Sequence, residues 1–144
     1  MTAAHCCSGF TNRANQVFGY VGEHDLRFAK IEQGQFKVNA KKIIIHPEFE
    51  RSTLNNDICI VKTFHMNLAN RNTAAAACLP ESGTHPAENT KCWAAGWGKM
   101  GNNRIADVLQ EVDLKIISDD VCDNTQNAGD LIRGSMFCAG YLEG

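Results

Sequence analysis

The sequence has little of what marks membrane proteins, nucleic-acid-binding proteins or disordered chains. Its 144 residues include 14 basic and 16 acidic residues, a net charge of −2 with no block of like charges, so no phosphate-binding or nucleic-acid surface is indicated. The longest apolar runs, such as Ala74–Leu79, are far too short to cross a bilayer. The first ten residues lack the basic start and apolar stretch of a secretory signal. The 44% of apolar residues predicts a folded core. The charge balance and the short apolar runs lead us to expect neither nucleic-acid nor membrane partners.

Cysteine, in contrast, is abundant. Seven cysteines in 144 residues are typical of an oxidising compartment, so we expect a secreted protein. An odd count means that at least one thiol is free, is bonded to another chain, or is bonded to a segment outside this sequence. The adjacent Cys6 and Cys7 do not readily bridge to each other, because a vicinal disulfide strains the intervening peptide. No Cys-X-X-Cys pair occurs, which argues against a zinc site on His5, Cys6 and Cys7.

Hydrophobic periodicity indicates an all-β chain. Apolar and polar residues alternate through Phe36–Ala40 and again through Leu109–Ile117, as expected of half-buried strands. One short helix is predicted near residues 118–124, where Ser118 is a suitable N-cap and two aspartates follow it. Residues 67–77 are polar and then alanine-rich without a clear period, which predicts a connection between two β units.

His5 and Asp57 are the residues whose context suggests chemistry. A lone histidine is most often solvated or structural, and an aspartate after Asn55-Asn56 is most often a turn residue. Asp57, however, opens the apolar run Ile58–Val61, so its carboxylate should be partly buried and should need a hydrogen-bond donor. A histidine would be such a donor, and the aspartate would then fix the imidazole tautomer so that the other ring nitrogen acts as a base.

Several short segments together resemble the trypsin- and chymotrypsin-like serine proteases. Thr2-Ala3-Ala4-His5-Cys6 resembles the segment of that family that carries the catalytic histidine, and Asp57 before its apolar strand resembles the catalytic aspartate. Five further segments match the family in its order: Ile43–Pro47, Cys78–Pro80, Cys92–Gly98, Leu109–Val112 and Met136–Gly140. The resemblance extends over the whole chain.

The resemblance implies a partial double Greek-key β-barrel of the trypsin-like type, with about half of each barrel present. Residues 1–66 would be part of the N-terminal barrel, residues 67–90 the inter-barrel connection, and residues 91–144 the first part of the C-terminal barrel. His5 would be the general base and Asp57 its orienting partner. The family's nucleophile motif, Gly-Asp-Ser-Gly-Gly, does not occur in the sequence. On the family pattern it would follow Gly144.

These implications lead to three hypotheses. The first is a fragment, truncated at both ends, of a secreted serine-type endopeptidase that cleaves protein or peptide substrates and meets protein protease inhibitors; the chain alone would be inactive. The second is a non-catalytic homologue that acts as a protein-binding module, although the presence of both His5 and Asp57 counts against it. The third is a short splice product, whose unpaired strand edges would favour aggregation.

The same resemblance assigns most of the cysteines. Cys122 and Cys138 match a family disulfide with both halves present. Three others match half-cystines whose partners would lie outside this sequence: Cys6, Cys78 and Cys92. Cys7 and Cys59 match no family pair, and we expect Cys59 to pack as a small apolar residue.

Metal binding and substrate preference are less well defined. Many members of the family bind calcium in the loop to which Glu23, Asp25 and Glu32 would belong, and these side chains offer oxygen ligands. Lys30, however, falls where an acid often contributes, so we expect neither calcium nor another cofactor. Leu54, three residues before Asp57, is predicted to line a substrate subsite. The residue at the base of the primary specificity pocket would follow Gly144, so specificity is not predicted.

Overall fold

A computed structural model describes residues 1–27, 34–68, 72–101, 103–125, 132 and 134–141. The strands are β1 Phe18–Val21, β2 Phe36–Ile45, β3 Cys59–Thr63, β4 Lys91–Gly96, β5 Gln110–Ile117 and β6 Cys138–Gly140. The helices are α1 Ala4–Cys7 and α2 Asp119–Thr125, and a 3₁₀ turn spans Ala14–Gln16. Among the described residues, no helix combines the length and apolar character needed to span a membrane.

The all-β prediction is confirmed. The described strands form two three-stranded antiparallel sheets, ordered β1-β2-β3 and β4-β5-β6, and neither sheet closes on itself within the described residues. This is the arrangement expected of a partial trypsin-like barrel pair. The chain divides into two compact units, one comprising Met1–Glu23 with Phe28–Ala77 and the other His24–Arg27 with Cys78–Gly144.

In the first unit, β2 is the central strand and pairs with β1 and β3. The predicted alternation is present, since Lys37 and Asn39 are exposed while Ala40 is buried. A register shift at Ala40–Lys42 changes the phase, because a bulge places two residues opposite one. Ile43 is therefore the next buried position, where it joins a core cluster with Ala4, Cys7 and Cys59.

A threonine packs between two glycine turns of this unit. Gly22 and Gly34 have φ values of +80° and +98°, a conformation that glycine adopts without steric cost. The Thr73 hydroxyl donates a hydrogen bond of 2.9 Å to the Gly34 carbonyl. A Cβ atom at Gly22 would lie 2.8 Å from Thr73 Oγ1, and one at Gly34 would lie 2.6 Å from Thr73 Cγ2. The segment after residue 71 is thereby held against both turns.

In the second unit, β5 is central and pairs with β4 and β6. Its predicted apolar face is covered toward the C-terminal end, where Ile116 is buried, whereas Val112 is 49% exposed. The predicted helix is confirmed as α2, which begins one residue after Ser118 and has two acids in its first turn. The segment His24–Arg27 joins this unit through backbone bonds, including Leu109 N–H to the His24 carbonyl at 2.9 Å.

Candidate active site

His5 lies in α1, a helix of four residues that the sequence pattern did not predict. So short a helix has little stability of its own, and its N-cap makes no side-chain hydrogen bond. It is fastened instead to β3, because Thr2 and Cys59 exchange two backbone hydrogen bonds of 2.9 and 2.7 Å. Ala4 is completely buried in the core cluster. These contacts place the neighbouring His5 at the start of β3.

Asp57 lies immediately before β3, at the end of a turn with unusual backbone angles. Leu54 and Asn56 have φ values of 57° and 54°, in the left-handed region that asparagine tolerates better than most residues. Ile58 N–H donates to the Asn56 carbonyl at 2.7 Å, and His46 N–H donates to the Ile58 carbonyl at 3.1 Å. The chain thus enters β3 beside the end of β2, with Asp57 facing α1.

The two predicted site residues meet at two points. The His5 backbone N–H donates to Asp57 Oδ1 at 2.8 Å, and His5 Nδ1 lies 2.6 Å from Asp57 Oδ2. The Asp57 side chain is 20% exposed and the His5 side chain 48% exposed. Because both carboxylate oxygens are engaged by one residue, the histidine ring has a defined position relative to the aspartate.

The electrostatics favour an ionised aspartate. The hydrogen bond from the His5 side chain lowers the pKa of Asp57, and backbone N–H donors of His5 and Ala4 add to this effect. An ionised Asp57 carboxylate can only accept, so its hydrogen bond with His5 requires a proton on Nδ1, which is therefore the protonated nitrogen of a neutral His5. The lone pair then resides on Nε2, the nitrogen from which a histidine acts as a base.

A contact that sequence reasoning missed lies at the C-terminal end of α1. The Ser8 hydroxyl donates to the His5 carbonyl at 3.1 Å, and the Arg51 guanidinium donates to the Ser8 hydroxyl at 2.8 Å. The last carbonyls of a helix have no partner inside the helix, so Ser8 and Arg51 supply one. No sequence signal connects residues 43 positions apart in this way.

The loop that was considered for calcium makes hydrogen bonds within the chain. Both carboxylate oxygens of Asp25 accept hydrogen bonds from the Arg27 guanidinium at 2.5 to 3.2 Å, and these bonds lower the pKa of Asp25 to about 2. Glu23 accepts a hydrogen bond from Gln35. Glu32 lies outside the described residues. The expectation that this loop holds no calcium stays a prediction.

The predicted subsite residue, Leu54, is 42% exposed and lies in the turn that leads to Asp57. Its positive φ of 57° is unusual for a leucine. The structure therefore shows it as a surface side chain on the same turn as the candidate site, while its contact with substrate stays a prediction.

The cysteines show one predicted disulfide and one unexpected disulfide. Cys122 is bonded to Cys138, the pair that the resemblance implied. Cys6, Cys78 and Cys92 make no disulfide within the chain, the first two being exposed and the third half-buried. That their partners lie outside this sequence stays a prediction. Cys59 was expected to pack as a small apolar residue, but this was wrong, since it is bonded to Cys7.

The unexpected disulfide follows from the geometry of the site. Cys7 is two residues after His5, and Cys59 is two residues after Asp57. If His5 and Asp57 meet, the two cysteines come close as well, because helix α1 and strand β3 continue from the meeting point. This matched spacing was the available signal, and it becomes informative only once the His5–Asp57 contact is assumed.

Comparison with known proteins identifies the family to which this chain belongs. A family model described as Trypsin matches residues 1–144. Serine protease 1 of Canis lupus familiaris is 36% identical over 147 residues, covering 100% of this chain and 54% of that protein. Trypsin of Sus scrofa is 32% identical over 146 residues, covering 100% of this chain and 58% of that protein. The chain therefore spans about half the length of the curated relatives it matches, and it belongs to the trypsin family of serine proteases.

Proposed function

We propose that the chain supplies the histidine–aspartate pair of a secreted serine-type endopeptidase, which hydrolyses peptide bonds in protein or peptide substrates. The single observation that supports this most strongly is the two-point contact between His5 and Asp57, at 2.8 and 2.6 Å. In the proposed reaction Asp57 holds the His5 ring with its proton on Nδ1. Nε2 is then available to take a proton from a nucleophilic hydroxyl.

The proposed reaction is acyl transfer in two stages. His5 Nε2 removes the proton of a serine hydroxyl as the oxygen attacks the substrate carbonyl, and the resulting imidazolium is stabilised by the negative Asp57. The imidazolium then protonates the leaving amine. In the second stage, water replaces the amine, and His5 acts as base again to release the acid product.

The 144 residues lack a Gly-Asp-Ser-Gly-Gly segment, and we propose that this chain alone is inactive. A base without a nucleophile and an oxyanion hole has lost the interactions that account for most of the rate enhancement. The purified 144-residue chain should not release chromophore from a panel of chromogenic peptides with basic, aromatic and small residues at the cleavage position. Turnover that a serine-directed covalent inhibitor abolishes would refute this part of the proposal.

The role of His5 is tested in the longest chain that the gene encodes. Sequencing the transcript beyond the Gly144 codon should reveal a serine between aspartate and two glycines. In that protein, H5A should lower kcat/KM by on the order of 10⁴-fold or more. H65A is the matched control, because His65 is an exposed histidine of the same unit, and it should leave the rate unchanged. A replaced serine would instead favour a non-catalytic binding module, and equal rates for H5A and the unaltered protein would contradict the proposed base.

Secretion and inhibitor binding complete the proposal. Two disulfides within 144 residues suit an oxidising compartment. Protein inhibitors of serine proteases are the partners that an exposed histidine–aspartate site would meet outside the cell. Expression from the complete coding sequence should deliver the protein to the culture medium with both disulfides formed, which mass spectrometry after thiol alkylation would measure. Retention in the cytosol with reduced cysteines would contradict this.

A further inference from the structure

The Cys7–Cys59 disulfide joins the two segments that carry the proposed catalytic pair. His5 and Asp57 are separated by 52 positions in the chain, and so are Cys7 and Cys59. Each cysteine lies two residues after one member of the pair. The disulfide and the His5–Asp57 hydrogen bond therefore close a ring of only six residues, which are His5, Cys6, Cys7, Cys59, Ile58 and Asp57.

The other attachments of His5 are few. Helix α1 has four residues and no side-chain cap at its N-terminus, and a helix of this length is not stable by itself. On its N-terminal side it is fastened by the backbone bonds between Thr2 and Cys59. On its C-terminal side the disulfide leads to the same residue, Cys59. Both attachments of the His5 segment to β3 thus converge on one residue, two positions beyond Asp57. The remaining contact at this end runs through the exposed Ser8 hydroxyl, which joins the His5 carbonyl to Arg51.

We propose that the Cys7–Cys59 disulfide is a positioning cross-link, which holds the His5 ring against Asp57. This inference rests on the proposed function of the pair. Without the cross-link, the His5–Asp57 contact closes a 52-residue loop. With it, the contact closes the six-residue ring. Because the entropic cost of closing a flexible loop grows with the logarithm of its length, the cross-link should favour the contact on the order of tenfold.

The surroundings of the bridge indicate a permanent cross-link rather than a redox switch. Cys7 is 4% exposed and Cys59 is 0% exposed, and both belong to the core cluster with Ala4 and Ile43. A reductant reacts by direct attack on a disulfide sulfur, so a buried disulfide is reduced slowly. The adjacent thiol of Cys6 is exposed, which makes it the natural control for the effect of cysteine replacement in the same helix.

The test follows the His5–Asp57 hydrogen bond directly in the 144-residue chain and does not depend on catalysis. The titration of the Asp57 carboxyl carbon and the downfield imidazole N–H resonance are followed by NMR in two variants that lack the cross-link. C7A/C59A removes it, and C7A/C59M removes it while restoring buried volume. In both, the pKa of Asp57 should rise toward its ordinary value, and the imidazole resonance should weaken. C6S and C122A/C138A should keep the unaltered titration, although the latter also loses a disulfide.

The outcomes separate positioning from general stabilisation. An unaltered Asp57 titration in folded C7A/C59M would overturn the proposal. So would an Asp57 pKa that rises as far in folded C122A/C138A as in C7A/C59M, since a general loss of stability would then explain the change. The proposed protease function can fail separately, because an inactive full-length protein would leave these NMR measurements unchanged.

Discussion

The two disulfides of this chain close loops of very different length. Cys7–Cys59 spans 52 positions and lies in the fully buried core of the first unit. Cys122–Cys138 spans 16 positions and joins α2 to β6 in the second unit. The first connects two segments that are distant in sequence and adjacent to the histidine–aspartate pair. The second closes a local loop. The comparison teaches that the covalent constraint is greatest where the proposed chemistry requires a defined geometry.

The largest expected effect comes from removing each disulfide. In the chain-entropy description, C7A/C59A should lower the free energy of unfolding by about 4 kcal/mol, and C122A/C138A by about 3 kcal/mol. Hydrogen exchange of amides in β2 and β5 measures the two units separately. Both tryptophans, Trp93 and Trp97, belong to the second unit, so fluorescence during denaturant unfolding is a second probe of that unit. A larger loss of unfolding free energy for C122A/C138A than for C7A/C59A would contradict the expected order.

Core truncation should give the next largest effect. Ile43 is 4% exposed in the first unit and Ile116 is 6% exposed in the second. Each isoleucine-to-alanine change should cost about 3 kcal/mol. I43A should cost more than I116A, because the cross-linked cluster around Ile43 has less freedom to close over the cavity. I60A, at a side chain 49% exposed, is the matched control on β3. Equal losses for I43A and I60A would contradict the assigned core.

Acid stability should distinguish the two units through one aspartate in each. The hydrogen bond from His5 lowers the pKa of Asp57 below its ordinary value of 3.8, and the Arg27 hydrogen bonds lower that of Asp25 to about 2. A lowered pKa contributes stability above the ordinary value and loses it as the pH falls through the folded value. The stability advantage of the unaltered chain over D57N or D25N should therefore shrink below pH 4.

Comparing D57N with D25N is a sharper test than either variant alone. For D25N the advantage should disappear only near pH 2, because that is the pKa of Asp25 in the folded chain. Denaturant unfolding at a series of pH values measures both differences, and E81Q, at an exposed loop glutamate, is the control. An advantage of the unaltered chain that grows on acidification would contradict the assigned direction of the pKa shifts.

The smallest effect is expected at the surface of the second sheet. Lys91 Nζ lies 3.2 Å from Asp113 Oδ2, with side chains 57% and 42% exposed. The Tyr141 hydroxyl donates to the same oxygen at 3.1 Å. Exposed ion pairs contribute little, because water and salt screen them. K91M should therefore leave the denaturation midpoint unchanged within error at any salt concentration, and a clear salt-dependent loss would show that this pair is more important than its exposure indicates.

Local signals in the sequence predicted the elements better than their connections. The alternation in Phe36–Ala40 and the acids after Ser118 predicted a strand and a helix, because these patterns depend on near neighbours. Helix α1 was missed, since four residues show no period and its stability comes from β3. The bulge at Ala40–Lys42 was also missed, because register is decided by the partner strand. The Cys7–Cys59 bond required knowledge of the His5–Asp57 contact, itself a non-local feature.

The packing of Thr73 between Gly22 and Gly34 has a consequence for how this sequence can vary. An alanine at position 22 or 34 would meet the threonine side chain and would also occupy a backbone conformation that costs a non-glycine residue energy. Shortening Thr73 to alanine would relieve the steric penalty only in part, because its Cβ would still lie 3.0 Å from a Cβ at position 22, and it would not relieve the backbone penalty. Random mutagenesis of all three positions should thus recover glycine at both turns almost regardless of position 73, whereas position 73 should accept substitutions freely only among small residues. Position 73 therefore depends on the two glycines more than they depend on it, because the positive φ of each turn favours glycine whatever residue occupies position 73.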